Sequence, residues 1–223
     1  MNDVYDYGMW AVALFNVGLF VFFAFSFLTP QGRVEWRNFG AVTAFFVALF
    51  TEMYGFPLTI YLLTAWFGDA YPVLQPFSHK FGHLWVVVFG GSDLAWALVM
   101  AISLMLLLTG YLLLSKGWRL VHGTEGRLVT GGVYSFARHP QYTGLFLIIN
   151  AFLVQSHTML TVLMAPVLVA AYVHLARREE VSMRARFGEQ YDEYARRVPG
   201  FIPPISCWGR FLTASPARSE GKL

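Results

Sequence analysis

The chain has 223 residues, 57% of them apolar and only 13% charged, with a formal net charge of +3. That charge fraction is about half of what a soluble domain carries, so a water-soluble globular class is excluded. The single cysteine, Cys207, excludes an internal disulfide framework and any multi-cysteine metal site.

The N-terminal MNDVYDYGMW is acidic and lacks the basic start of a secretory signal peptide, so the first apolar block is expected to remain as a span. A span needs about 20 apolar residues. The first runs from about Gly8 to Leu28 and stops at Thr29-Pro30. The second runs from about Phe39 to Trp66, interrupted by Glu52 and Pro57. The loop from Gly68 to Asp93 contains the apolar run Leu84–Phe89, too short to cross, which is expected to lie at the interface or re-enter partway. The third span runs from about Leu94 to Leu114, and a polar, basic stretch from Ser115 to His139 follows. Gln141 to Ala176 then contains no Asp, Glu, Lys or Arg over 36 residues. That is too long for one span, and the polar cluster Gln155-Ser156-His157-Thr158 divides it into a tight helical hairpin.

The expected fold is therefore all-α, a polytopic membrane protein of about five transmembrane helices. With the N-terminus outside, the loop around Arg33 and Arg37, the loop from Lys116 to Arg138 and the tail from Arg177 onward hold 15 of the 16 Lys and Arg residues, leaving only Lys80. This is the positive-inside pattern. It predicts a cytoplasmic C-terminus, gives a prokaryotic inner membrane as the expected location, and accounts for the basic charge without nucleic acid.

Arg177 to Arg197 lacks proline and is rich in helix formers, with Gly188 its weak point. Met183, Phe187, Tyr191 and Tyr194 recur on one face, so an amphipathic cytoplasmic helix is predicted that packs back on the membrane-side body. Val198-Pro199 ends it. Thr213 to Leu223 is polar and expected to be disordered.

Two segments carry chemistry. Leu128 to Gly144 places Gly131-Gly132, able to take positive φ, before Arg138-His139 and Pro140. Proline suits the first turn of a helix, whose N-terminus can receive a carboxylate or phosphate. Tyr142 adds a hydroxyl. The second segment, Arg177-Arg178-Glu179-Glu180, leaves the fifth span at the same surface, and the hairpin brings the two side by side. A ligand with a carboxylate and with ribose hydroxyls or an amine fits that pair. Each piece also has a plain structural use: Arg138 and His139 as snorkelling boundary residues, Glu180 paired with Arg184, and the tyrosines as packing.

The pattern Gly-x-Tyr-x3-Arg-His-Pro-x-Tyr-x-Gly, a short hairpin, then Glu-Glu and Phe-Gly-x2-Tyr-x2-Tyr, resembles the isoprenylcysteine carboxyl methyltransferase family and its phospholipid methyltransferase relatives. The resemblance covers roughly Leu128 to Pro203. It implies S-adenosylmethionine as cofactor, lined by Leu128, Val129, Gly132, Tyr134, Arg138, His139, Tyr142, Glu179 and Glu180, with Arg177, Arg178 and Glu180 as catalytic candidates. One position departs from the family: eukaryotic members often carry a histidine where this chain has Gly126, and His122 is out of register. The implied organisation is a three-span transmembrane region over 1–114, a cofactor-binding methyltransferase core over 115–204 and a polar tail over 205–223.

The implied reaction is methyl transfer to a lipophilic small molecule or lipidated acceptor within membrane lipid. Arg177 or Arg178 could hold an acceptor carboxylate, and a thiol or ammonium acceptor would need Glu179 or Glu180 as base. An NADPH-dependent membrane reductase of the sterol reductase type and a non-enzymatic membrane scaffold are the competing readings. His79 and His83 are spaced i,i+4 but have no third ligand nearby, so no metal is expected. The residues leave oligomeric state open. Glu52 is the only acidic residue inside a predicted span. It should face the bundle interior, either bonded to a neighbouring helix, with Asn150 a candidate partner, or lining the acceptor cavity.

Overall fold

The computed structural model describes residues 8–28, 33–67, 84–90, 92–122 and 127–214. The acidic first seven residues, Thr29-Pro30, most of the 68–93 loop with His79, Lys80 and His83, Gly126, the His122 side chain and residues 215–223 lie outside the described residues. Every regular element among the described residues is helical, and the protein is an all-α, polytopic membrane protein.

Nine α-helices are described: α1 Trp10–Leu28, α2 Arg33–Phe50, α3 Leu58–Phe67, α4 Leu84–Val88, α5 Asp93–His122, α6 Pro140–Gln155, α7 Met159–Phe187, α8 Glu189–Arg197 and α9 Trp208–Thr213. Within α1, α5 and α7, the stretches Trp10–Phe27, Asp93–Val121 and Met159–Phe187 are long and apolar enough to cross a bilayer. The other two expected spans differ. The fourth is α6, whose 16 residues make a rod of about 24 Å. The second is broken into α2, a π-helical turn over Thr51–Gly55, and α3.

The chain divides into two compact units. The first comprises Met1–Met105 and Ile149–Ala171. Its core gathers the rings of Phe20, Phe46, Phe50 and Phe152, with Phe20 and Phe152 edge to face at 5.0 Å between centres. Leu14, Phe15 and Phe22 of α1 are exposed, as expected of a helix that faces lipid.

The break in the second span has a local cause. Pro57 has no N–H to continue the ladder, and the turn closes instead with Phe56 N–H donating to Thr51 O at 2.8 Å. The carbonyls of Tyr54 and Gly55 accept the N–H groups of Met9 and Gly8, each at 2.9 Å. Within a bilayer every such group needs a partner inside the protein. Glu52, in this turn and buried, accepts from Thr59 twice, from its N–H at 2.9 Å and its hydroxyl at 2.6 Å. The Thr59 oxygen in turn accepts the N–H of Met159 at 2.9 Å. One carboxylate thus caps the start of α3 and, through threonine, the start of α7.

The α6–α7 hairpin turns where the polar cluster predicts it. Thr158 and Thr161 exchange N–H to hydroxyl bonds at 3.0 and 3.1 Å, a reciprocal cap that starts α7. Ser103 of α5 donates to Ala151 O at 3.0 Å.

The second unit comprises Leu106–Ile148 and Tyr172–Leu223. Here α5 and α6 meet backbone to backbone. A Cβ added at Gly144 would stand 2.6 Å from Gly110 O, and one at Gly110 would stand 2.6 Å from Gly144 O. Small residues permit such an approach in lipid. The stretch read as a polar loop from Ser115 begins instead as helix, since α5 runs to His122 with no proline to stop it. α7 likewise continues through Arg177 to Phe187, and Gly188, at φ +53, separates it from α8. Of the expected apolar face, Tyr191 and Tyr194 are buried while Met183 is exposed. The core of this unit gathers Leu113, Val133, Tyr134, Ala137 and Phe211. Phe211, on α9, comes from the stretch read as a polar tail and is fully buried.

Candidate active site

Gly131, extended at φ −95, leads into a short 3-10 turn over Gly132–Ser135. Gly132 takes φ +62, which a side chain would disfavour. The turn is closed by the Ser135 hydroxyl donating to Gly132 O at 2.7 Å. It buries Val133 and Tyr134, and the Tyr134 carbonyl accepts the Tyr194 hydroxyl of α8 at 2.7 Å. Burial pushes both phenols well above their ordinary range, so they act as packing and hydrogen-bonding groups. Leu128 lies ahead of this turn, and Val129 packs against the core cluster.

Arg138 and His139 precede Pro140, the first residue of α6. Their backbone N–H groups donate to the carbonyls of Pro199 and Gly200, both at 2.9 Å. These two donors at the α6 start are therefore held by the protein itself, where the sequence suggests an anion-receiving terminus.

The Arg138 side chain is committed in the same way. Its Nε and Nη2 stand 2.9 and 2.8 Å from Glu180 Oε1, and its Nη1 donates to Ala195 O at 2.9 Å and Val198 O at 2.7 Å. One guanidinium thus joins the start of α6, the end of α7 and the end of α8. His139, also buried, places Nε2 3.0 Å from the same Glu180 oxygen. Its ring stacks on Phe201 at 5.3 Å between centres. Phe201 is held by its carbonyl, which accepts the Thr143 hydroxyl at 2.7 Å.

Electrostatics fix the protonation states. Burial lowers the His139 imidazole below its ordinary value, against the upward pull of Glu180. Glu180 follows the charge-free run, and burial pushes its carboxyl up, but hydrogen bonds from His139 and Arg138 and the Arg138 charge more than reverse this and hold it below the usual range. At neutral pH Glu180 is a carboxylate and His139 a neutral imidazole. The carboxylate only accepts, so Nε2 carries the proton.

This leaves Nδ1 of His139 with its lone pair, 3.7 Å from Oε2 of Glu179. The Tyr142 hydroxyl donates to Oε1 of Glu179. Glu179 is half exposed, whereas Glu180 is only 12% exposed. Glu179 Oε2 and His139 Nδ1 thus stand side by side, the carboxylate half exposed and the imidazole buried behind it. The pair suits a ligand donor such as an ammonium group or a hydroxyl.

The structure therefore brings together Arg138, His139, Tyr142, Glu179 and Glu180. Arg177 and Arg178 are exposed on the turn of α7 just before the pair. Glu52 belongs to the first unit, in the capping relay with Thr59. Thr143, Gly200 and Phe201 are supports that sequence reading passed over. Their one signal is the segment after Val198-Pro199, which reads as a helix stop and serves as a strap.

Residues 92–190 match the family model described as phospholipid methyltransferase. Protein-S-isoprenylcysteine O-methyltransferase of Schizosaccharomyces pombe is 33% identical over 79 residues, 35% of this chain and 34% of that protein. Protein-S-isoprenylcysteine O-methyltransferase B of Arabidopsis thaliana is 36% identical over 88 residues, 36% of this chain and 41% of that protein. The nickel-cobalt-cadmium resistance protein NccN of Alcaligenes xylosoxydans xylosoxydans is 35% identical over 80 residues, 35% of this chain and 37% of that protein. The matched region thus spans between a third and about two fifths of these curated relatives. No solved structure matches the chain.

Proposed function

Residues 92–190 belong to the phospholipid methyltransferase family, and on that premise we propose that the chain is an integral membrane methyltransferase using S-adenosylmethionine. The acceptor is a lipophilic or membrane-associated molecule, such as an isoprenylcysteine-like carboxylate, a thiol or a lipid amine. The positive-inside pattern supports a cytoplasmic position for the cofactor site. The observation that carries this reading is the convergence of Arg138, His139, Tyr142, Glu179 and Glu180 into one hydrogen-bonded cluster where the charge-free hairpin ends.

The donor set fits the cofactor. Glu179 and His139 would receive its ammonium or ribose hydroxyls, with the Gly132 turn and Leu128-Val129 beside it. When bound, the cofactor supplies an electrophilic methyl carbon on a sulfonium. The protein then aligns the acceptor and excludes water. Arg177 or Arg178 would hold an acceptor carboxylate. A carboxylate acceptor needs no base. For a thiol or ammonium acceptor the geometry favours Glu179 over Glu180, because Arg138, His139 and Arg184 surround Glu180 and hold its basicity down. The similarity to NccN, a protein named for nickel, cobalt and cadmium resistance, is a reason to leave the acceptor open.

The deciding experiment is calorimetric titration of the detergent-purified protein with S-adenosylhomocysteine and with NADPH. S-adenosylhomocysteine should bind and NADPH should not. Binding of NADPH alone would defeat the reading in favour of a reductase.

A further inference from the structure

A cavity of about 550 Å³, open to the surface along much of its rim, lies beside the end of α8, within the second unit. Arg138, Arg196 and Arg197 line it, and no carboxylate does. The rest of its lining is largely apolar, including Ile202, Ile205 and three prolines. Ile202 and Ile205 are 71% and 89% exposed. Pro199, Pro203 and Pro204 have fixed φ and no N–H, so this wall is stiff and offers no backbone donor of its own at those positions. The carbonyls of Ala195 and Val198, at the negative end of α8, are covered by Arg138. The cavity also borders the membrane boundary, since Arg138 stands three residues before Gln141, where the charge-free run begins.

We propose that this cavity holds the headgroup of an anionic phospholipid, with an acyl chain lying along Ile202 and Ile205. Guanidinium groups match phosphate oxygens, and do so bidentately. A soluble anion would leave two highly exposed isoleucines without a role. Arg138 is held by Glu180 and two carbonyls, but Arg196 and Arg197 lie on the exposed surface of α8, where the Arg197 pair with Glu193 is open to solvent, and a neutral amphiphile would make no use of their charge. Exposed apolar side chains flanked by arginine are the composition of a surface that rests on an anionic leaflet. The volume lies in the usual range for a small-molecule site. A lipid such as phosphatidylglycerol has no amine, thiol or free carboxylate, so it is a held lipid and not a methyl acceptor. The proposal therefore stands apart from the methyltransferase reading.

The test is native mass spectrometry of the full chain released from nanodiscs of equal phosphatidylglycerol and phosphatidylcholine, which involves no methyl transfer. The parent should retain phosphatidylglycerol preferentially. Arg196→Gln and Arg197→Gln, both on the exposed surface of α8, should each lower that preference, on the order of fivefold per arginine. Ile202→Ser with Ile205→Ser should reduce retention of both lipids and leave their ratio unchanged. Arg37→Gln, an exposed basic position on α2, should change nothing, and excess glycerol phosphate should not displace the lipid. Equal retention of the two lipids by the parent overturns the proposal. So does an Arg37→Gln effect as large as that of the α8 variants, or displacement by glycerol phosphate, which would make the site one for free phosphate.

Discussion

Nε2 of His139 stands 3.0 Å from Oε1 of Glu180, a residue 41 positions further along the chain, and Arg138 meets the same oxygen. Two consecutive side chains at the start of α6 are thereby fixed by one carboxylate on α7. This carboxylate holds the fold together, although from sequence alone Glu180→Gln reads as a change that touches ligand binding and leaves stability nearly intact.

Glu180→Gln should therefore lower the thermal stability of the ligand-free protein. It leaves Arg138 with a weaker partner in a mostly buried setting, a loss on the order of 2 kcal/mol. Thermal unfolding in detergent reads this directly. An unchanged melting temperature would show that Arg138 is held well enough by the Ala195 and Val198 carbonyls alone.

Tyr142→Phe should behave differently. The hydroxyl serves Glu179, which is half exposed and able to turn to water. Stability should change by under about 1 kcal/mol, while S-adenosylhomocysteine affinity drops about tenfold, as for one hydrogen bond to a charged group. Calorimetry on the parent and the variant compares the two, and equal affinities would remove Tyr142 from the site.

Acidification should destabilise the protein in two stages. His139 has a folded pKa below its ordinary 6.5, so the unfolded chain binds the proton first. Its contribution is full above 6.5 and is lost as pH falls below that value. Glu180 is also depressed, from 4.5, so its contribution is present above that value and lost as pH falls further. Melting temperature measured from pH 8 down to about pH 3 should show both stages, and His139→Gln should flatten the upper one. A variant that keeps the upper stage intact would assign it to another group.

Gly144→Ala should cost about 1–3 kcal/mol, the usual range for overpacking. The added Cβ would meet Gly110 O at 2.6 Å and Leu114 N at 2.9 Å, both backbone atoms that cannot swing aside. Gly18→Ala is the control, since nothing lies within 4 Å of a Cβ there. Equal melting temperatures for the two variants would mean that α5 and α6 separate at little cost.

Glu52→Gln should be mild, because an amide oxygen still accepts from both Thr59 donors, whereas Glu52→Ala should cost about 1–3 kcal/mol by leaving buried donors unmet. Neither should alter S-adenosylhomocysteine binding. If Glu52→Gln instead raises the KM for acceptor while stability holds, Glu52 lines the acceptor cavity in addition to capping the two helices.

Much of this was legible in the sequence, and the exceptions have a common physical origin. The spans, the turn at Gln155–Thr158, the break at Gly188 and the helix end before Pro199 follow from local composition: charge-free runs, a threonine cap, a glycine and a proline. The convergence on Glu179 and Glu180 follows from the hairpin. What sequence could not supply are partners distant along the chain. Tyr54 and Gly55 are satisfied by Met9 and Gly8, nearly fifty residues upstream. Phe211 sits in a short apolar run flanked by polar residues, and only its contact with Leu113 and Val133 reveals it as core. Arg138 counts as one available cation in a sequence, whereas the fold engages it with Glu180 and two carbonyls.

That last engagement bears on how the Arg-His-Pro motif should be interpreted. A lysine could not stand in for Arg138, because an ammonium lacks the planar fork that meets a carboxylate and two carbonyls at once. Arg138 therefore serves the scaffold, joining the start of α6 to the ends of α7 and α8 whatever ligand the site receives. The Arg-His-Pro motif of this chain thus speaks first of a junction between three helices and only second of a ligand. Under the proposed function, the choice of acceptor is to be sought in residues that the guanidinium does not touch.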